Sequence, residues 1–368
     1  MSKLRVAFIG VGSISGIYLE NLTKLFTEVE IAGVCDLIPE RALNAQAKYN
    51  LPRVYKDMME AFQDPSVDII LNLTRPYQHF EVTRLALEHG KHVYTEKPLG
   101  ITIQEGDALV KLAKERGLLI GGAPDTFMGA GLQSVRKYVD AGLIGEPVGA
   151  AAFMICRGHE TWHPDPDFYY QPGGGPMMDM GPYYITALVS ILGPVSRLVS
   201  AGKRTFKKRL ITSQPHSGTV IDVNTDTYVA GTMQFESGAI GTIFTTFDVY
   251  YPSQARLEIY GSEGTLILPD PNYFDGPIQI YRPESKKYDE LPLLFDYPEN
   301  SRGLGLADMA KALVTGREAR ANMQQIHHVL EILTGFEESV KQGGWLDLKT
   351  SYHRPMPMKK AEIKGILD

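Results

Sequence analysis

The sequence predicts an α/β protein in two parts: an N-terminal, doubly wound parallel sheet over residues 1–124, and a C-terminal α+β domain over 125–368 with an open, mostly antiparallel sheet. Three observations lead there. Short, near-continuous apolar runs alternate with helical patterns through the first third, as they do where a parallel sheet is covered on both faces. A glycine-rich turn joins the first run to the first helix. After Pro124 the pattern changes to strands joined by hairpin turns. The length of 368 residues fits two domains, at about 150 residues each.

The elements follow in order. Residues 4–9 form an apolar run ending at Gly10, and Ile14, Ile17, Tyr18, Leu22 and Leu25 then recur at helical spacing. A β-branched strand over 30–36 leads to a helix over 39–49, and an apolar run over 67–73 to a helix over 77–88 that stops at Gly90. A strand at 92–95, a helix at 104–116 halted by Gly117, and a strand at 118–120 complete the alternation. Beyond it come a helix over 132–141 and strands over 151–155, 195–201, 227–235, 239–247, 256–260 and 265–268. Turns at 234–239 and 260–265 read as hairpins, and a long helix over 323–341 comes last.

Composition excludes several classes. Hydrophobic residues make up 43% and charged residues 22%, with a net charge of −6. An acidic surface gives no general attraction for nucleic acid or anionic membrane. No apolar run reaches the roughly 20 residues that span a bilayer. Lys3 and Arg5 ahead of a short apolar run resemble a signal peptide, but the run passes into a glycine turn and reads as a strand. The two cysteines, Cys35 and Cys156, form no C-x-x-C pair, which fits a reducing cytoplasm.

Gly10-Val-Gly12-Ser13-Ile14-Ser15 sits between the first strand and first helix. The first glycine permits a tight turn, the second lets backbone approach a pyrophosphate, and the helix start offers free N–H groups. Ser15 stands where the pattern has Gly or Ala. Asp36 closes the second strand, 24 residues after Gly12, where a carboxylate accepts hydrogen bonds from a ribose 2′-hydroxyl and repels a 2′-phosphate. The expected cofactor is NAD, with NADP possible.

The run 86–98, Ala-Leu-Glu-His-Gly-Lys-His-Val-Tyr-Thr-Glu96-Lys97-Pro98, resembles the signature of the glucose–fructose oxidoreductase and inositol 2-dehydrogenase family (Gfo/Idh/MocA). The resemblance takes in the glycine turn, Asp36, the segment 143–148, Gly173 to Tyr183, and the turn at 260–264. It implies a Rossmann domain, a second domain with an open sheet, and NAD(P)-dependent hydride transfer at a carbinol carbon of a sugar, inositol or related polyol. Gly10, Gly12, Ser13, Ile14, Asp36, Thr74, Glu96 and Lys97 are the cofactor contacts expected here. There are two departures. Arg75 intervenes in Thr74-Arg75-Pro76, where many members have Thr-Pro. Tyr183 stands four residues after Asp179, where many members have histidine, and this is similar to the tyrosine-bearing branch of the family.

Oxidising an alcohol requires a base for the hydroxyl proton and positive charge for the developing alkoxide. Lys97 supplies the charge and Tyr183 the proton acceptor, while Asp179 orients one of them or holds a substrate hydroxyl. A nearby ammonium lowers a phenol's pKa, so oxidation is expected to climb through mildly alkaline pH. Asp179 and Tyr183, four apart, are expected on one helical face opposite Ile185, Leu188, Val189 and Leu192.

His159-Glu-Thr-Trp-His163 matches the zinc motif H-E-x-x-H, but Gly158 precedes it and Pro164 follows it, so a helix is not expected and no metal is assigned. The segment reads instead as a substrate loop. In it Trp162, Tyr169 and Tyr170 stack on a sugar ring, with packing of the two tyrosines on the sheet as the alternative, and His159, His163 and Asp165 bond its hydroxyls. The alternative function is a non-catalytic, dinucleotide-bound sugar sensor. The uncovered sheet face leads to the expectation of a homodimer or homotetramer.

Overall fold

The computed structural model describes residues 3–250, 256–360 and 364–368. The first sheet comprises β1 (Leu4–Ile9), β2 (Val29–Cys35), β3 (Ile69–Asn72), β4 (His92–Thr95) and β5 (Ile120–Gly122). All pair in parallel, in the order β2-β1-β3-β4-β5. The helices between them are α1 (Ser15–Lys24), α2 (Pro39–Tyr49), α3 (Met58–Gln63), α4 (His79–Glu88) and α5 (Ile103–Arg116). From β1 the chain moves first to one side and then, through β3, to the other. The crevice at that reversal, beyond the carboxyl ends of the strands, is where open α/β sheets take ligands.

After α6 (Ala130–Asp140) the chain builds a second sheet. It uses β6 (Pro147–Ile155), β7 (Val195–Lys203), β10 (Tyr228–Phe235), β11 (Ile240–Thr246), β12 (Arg256–Gly261), β13 (Thr265–Leu268), β14 (Ile278–Tyr281), β15 (Tyr288–Leu291) and β16 (Leu346–Asp347). A separate two-stranded arm holds β8 (Lys208–Leu210) and β9 (Val220–Asp222). Among the described residues the large sheet has nine strands, β15-β14-β13-β12-β6-β11-β10-β7-β16. Both expected hairpins form, β10–β11 and β12–β13. Among the described residues of this sheet, β6 and β11 are the one parallel pair.

Helices α7 (Gly175–Asp179), α8 (Gly181–Leu192) and α10 (Met323–Gln342) lie on one face of that sheet. Gly231 on β10 leaves the space that the Phe336 ring of α10 occupies; a Cβ there would sit 2.5 Å from it. Among the described residues, no helix covers the other face. There Phe153 and Phe244 meet at 4.7 Å, Tyr228 stacks on Phe244 at 5.8 Å, and Ile240 is 55% exposed. Helices α9 (Leu304–Thr315) and α10 return to the first domain and pack on β5, and residues 365–367 bond to the chain at Thr27 and Glu28. Among the described residues, no helix is long and apolar enough to cross a membrane.

One expectation fails here. Asp179 and Tyr183 do not share a helix: α7 ends at Asp179, and α8 begins two residues later. Each helix opens on a Gly-Pro pair, Gly175-Pro176 and Gly181-Pro182. Proline suits the first turn of a helix and disrupts its interior, so Pro182 starts a new helix rather than continuing the old one. Helix α8 is buried on all sides, so Tyr183 does not lie on a polar face; it is 7% exposed.

Candidate active site

The crevice is built from the glycine turn upward. Gly10 has φ +97°, and a Cβ on it would lie 2.8 Å from the Leu73 carbonyl, so only glycine closes the turn against β3. Gly12 is the reverse case, with nothing within 4 Å of where a side chain would stand. Its surface is open for a pyrophosphate to approach. The Ser15 hydroxyl donates to the Gly12 carbonyl at 2.7 Å, so serine at the third motif position ties the turn together. No side chain caps α1; the Ser15 amide goes to the Gly12 carbonyl at 3.1 Å, and among the described residues the amides of Ser13 and Ile14 just ahead of the helix are open to an anion.

Asp36 is fixed by backbone amides: Val11 N–H donates to Oδ2 at 2.6 Å and Ile38 N–H to Oδ1 at 2.8 Å. Beside it Leu37 is 89% exposed, an apolar shelf at the mouth of the turn. Open turn, free amides and a fixed carboxylate suit a dinucleotide. The Thr74 hydroxyl and amide both donate to Asn72 Oδ1. His79, which lies in no motif, spans the Thr74 and Pro98 carbonyls at 3.0 and 2.7 Å and joins the two walls.

Glu96 turns away from the crevice. Its carboxylate accepts from the Tyr18 hydroxyl at 2.7 Å and from the Lys97 amide at 3.1 Å, which fastens the Lys97 backbone to α1. Lys97 points across to the second domain. Its ammonium donates to Asp179 Oδ1 at 2.8 Å and to the Asp179 carbonyl at 2.5 Å. Burial works against the Lys97 charge, but the Asp179 carboxylate outweighs it and raises the hold on the proton. Burial likewise opposes ionisation of Asp179, and Lys97 and His159 override it, holding the carboxyl well below its usual range. His159 Nε2 lies 2.9 Å from Asp179 Oδ2, so Asp179 bridges Lys97 and His159.

The Tyr183 ring stands beside this array, its centroid 5.2 Å from the Lys97 ammonium and 6.0 Å from the Arg302 guanidinium. Arg302 was not anticipated; the only sequence signal was an arginine between a loop and the glycines 303 and 305.

The segment 159–163 is a single turn, closed by the His163 amide on the His159 carbonyl at 2.9 Å. Its residues go to different places. His159 meets Asp179, while Glu160 is buried against Arg209 at 2.6 Å and against the Tyr170 hydroxyl. His163 Nδ1 accepts from the Asp165 amide at 3.0 Å. This is not the one-faced helical arrangement of a zinc hydrolase. Trp162 is 61% exposed, with its edge on His159 and His163. Asp165 is taken by Arg75 at 2.5 Å, and Arg75 also lies over the Phe168 ring. The residue that interrupts Thr-Pro thus clips the loop holding Asp165 and Phe168 to the first domain. A cavity of about 500 Å³ lies elsewhere, behind α7 and against Phe336 and Val229.

Family models for an NAD-binding Rossmann-fold oxidoreductase and for the GFO/IDH/MocA C-terminal domain match residues 4–122 and 132–267. The chain belongs to the Gfo/Idh/MocA family. It is an oxidoreductase, and NAD is the cofactor of its Rossmann domain. Relatives of this Gfo/Idh/MocA chain include myo-inositol 2-dehydrogenase of Thermotoga maritima, 25% identical over 263 residues, covering 72% of this chain and 74% of the relative. D-glucoside 3-dehydrogenase of Escherichia coli K12 is 27% identical over 265 residues, covering 70% and 74%. Among solved structures, an NAD binding oxidoreductase from Klebsiella pneumoniae superposes with TM-score 0.83 at 20% identity, covering 95% of this chain and all of that one. Levoglucosan dehydrogenase with NADH and L-sorbose gives 0.81 at 19%, with the same coverage.

Proposed function

We propose that this oxidoreductase moves a hydride at a carbinol carbon of a sugar, inositol or related polyol, with Lys97, Tyr183 and Asp179 as its catalytic group. The observation that carries the reading is the Lys97–Asp179 ion pair set beside Tyr183 at the carboxyl edge of β4. The bound nicotinamide supplies the hydride acceptor or donor. Lys97 holds its proton firmly, so it serves as fixed positive charge for the substrate oxygen rather than as base. Tyr183 exchanges the hydroxyl proton, and Asp179 anchors Lys97.

The exposed face of Trp162 receives a sugar ring. In neutral His163 the Asp165 amide occupies Nδ1, so the ring carries its proton on Nε2 and donates to a substrate oxygen. The names of the inositol and glucoside relatives support the substrate class. Asp36 supports NAD over NADP. A cytoplasmic setting, and a homodimer or homotetramer through the uncovered sheet face, belong to the same proposal.

The test is a panel of myo-inositol, D-glucose and methyl glucosides with NAD+ and NADP+, run with Tyr183→Phe and Lys97→Ala. Each variant is expected to bind NADH normally and to lose roughly 10²–10⁴ in rate. Near-normal kcat in Tyr183→Phe overturns the assignment.

A further inference from the structure

Arg302 lies in the loop before α9, outside every motif the sequence offered. Its guanidinium is held by Asn300 Oδ1 at 2.8 Å, Asn272 Oδ1 at 2.7 Å and the Asn272 carbonyl at 3.1 Å. All three anchors are neutral, and among the described residues Arg302 makes no ion pair. The nearby carboxylate of Asp125 grips the loop instead: its Oδ2 accepts from the amides of Gly303 and Gly305 at 2.9 and 3.0 Å. Gly303 has φ +102°, and a Cβ on Gly305 would fall 2.2 Å from the Tyr94 hydroxyl, so the clasp admits only these glycines. On the other side, Asn21 of α1 donates to the Asn300 and Arg302 carbonyls at 2.9 and 2.8 Å. The result is a cation rigidly presented to one face of the cleft, with the rings of Tyr183 at 6.0 Å and Phe274 at 5.9 Å.

Tyr183 therefore stands between two cations that differ in one respect. Asp179 neutralises the Lys97 charge, whereas among the described residues Arg302 forms no ion pair, and its hydrogen bonds go to the amides of Asn300 and Asn272 and to Tyr183. Burial disfavours the Arg302 charge, but Tyr183 and then Asp125 outweigh it, so the guanidinium remains a cation at any working pH. A buried charge with neutral anchors costs stability unless it meets opposite charge; Asp125 and Glu96 supply part of it from behind, and the Tyr183 phenol can develop more.

We propose that Arg302 is a positioning residue for Tyr183, orienting the phenol and stabilising the negative charge on its oxygen during proton transfer. The inference rests on the reading of Tyr183 as the proton-transfer group. In oxidation, the substrate O–H proton passes to the Tyr183 phenolate oxygen. The substrate C–H hydrogen would leave with its electron pair as hydride, which a bound oxidised nicotinamide would accept, as the C=O bond forms. The charged and titratable groups around the phenol are Lys97 after β4, Asp179 at the end of α7, Tyr169 on the substrate loop, and Arg302, with Glu96 and Asp125 behind.

The test uses the full chain with Arg302→Gln and Arg302→Lys. It follows kcat/KM against pH with NAD+ and the best substrate of the polyol panel. In parallel it follows tyrosinate ultraviolet absorbance without ligands, with Tyr183→Phe as the blank, and NADH binding reports folding. Arg302→Gln is expected to lose tenfold or more at neutral pH and regain much of it as pH rises, since tenfold in rate corresponds to about one pH unit. The tyrosinate signal absent from Tyr183→Phe is expected to move to higher pH in Arg302→Gln, and Arg302→Lys to fall between. A uniform loss at every pH with an unmoved tyrosinate signal overturns the proposal. So does a rise in KM confined to sugar acids, which would make Arg302 a carboxylate anchor. Normal turnover in Tyr183→Phe defeats the parent reading instead, and that result is visible without any Arg302 variant.

Discussion

Asp179→Asn tests how the site keeps its charge. Lys97 and Asp179 meet at 2.8 Å, with side chains only 16% and 14% exposed. At an effective dielectric of about 20, two unit charges at that distance attract by ~6 kcal/mol, about four pH units before desolvation is subtracted. The amide leaves the hydrogen bonds possible and removes the charge. Burial, the largest influence on Lys97, then meets the weaker pull of Tyr183 and Glu96. Lys97 should give up its proton at or below the ~10.4 of a free lysine. Activity in the variant should therefore fall at alkaline pH with an inflection the unmodified enzyme lacks. Breaking one half of a buried pair costs roughly 3–5 kcal/mol, so Tm should drop as well. The double variant Lys97→Met, Asp179→Leu should be inactive yet melt above Asp179→Asn, because it leaves no lone buried charge. The assay is kcat/KM against pH beside calorimetric melting. An Asp179→Asn enzyme with the unmodified pH profile and Tm would refute the reasoning.

The unmodified enzyme should favour NAD+ over NADP+ in kcat/KM, and Asp36→Ser should narrow the ratio; equal values at the outset would show that Asp36 does not face the 2′ position. Burial pushes Asp125 up to about 6 from 3.8 and His328 down to about 4 from 6.5. The Asp125 contribution is present below its unfolded pKa and lost as pH rises through about 6, whereas that of His328 is present above 6.5 and lost as pH falls through about 4; each is worth ~3 kcal/mol. These opposite slopes offset each other in the parent, so Tm should rise with pH across this window in Asp125→Asn and fall in His328→Asn, and parallel curves for all three proteins would contradict both assignments. Light scattering should find a dimer or tetramer that Ile240→Asp weakens, and a monomeric parent at working concentration rules out assembly through the open face.

The first domain was legible because parallel strands are apolar throughout and their helices end on glycines, signals that need no tertiary context. The hairpins at 234–239 and 260–265 were legible for the same reason. What escaped was short or decided at a distance. Helix α3 has six residues and β8 and β9 three each, too few to show a period. The break at Met180 is written in Gly181-Pro182, but the four-residue spacing of Asp179 and Tyr183 suggested one continuous helix. Glu96, adjacent to Lys97 in sequence, faces the opposite way because Tyr18 of α1 claims its carboxylate. Arg302, 119 residues after Tyr183, reaches it only because Asp125 folds the loop back.

The choice of proton carrier narrows by elimination. Lys97 holds its proton too tightly to act as a base. Asp179 has one carboxylate oxygen on Lys97 and the other on His159, and its charge is held far below the usual carboxylate range, so it is a poor acceptor. His159 donates through Nε2 to Asp179, and its Nδ1 is buried with no hydrogen-bond partner among the described residues, so a substrate proton has no path to it. His163 has its Nδ1 occupied by the Asp165 amide and offers a donor, not an acceptor. Burial pushes the Tyr169 phenol up, which makes it a poor partner for the proton. Tyr183 is the remaining group beside Lys97, with two cations near its ring. Tyrosine in place of the commoner histidine therefore fits a site whose histidine, His159, is already committed to Asp179. On this argument Tyr183→His restores little activity unless His159 is also changed, because Asp179 has no oxygen left to orient a second imidazole. Full recovery in the single variant would show that Asp179 can release His159.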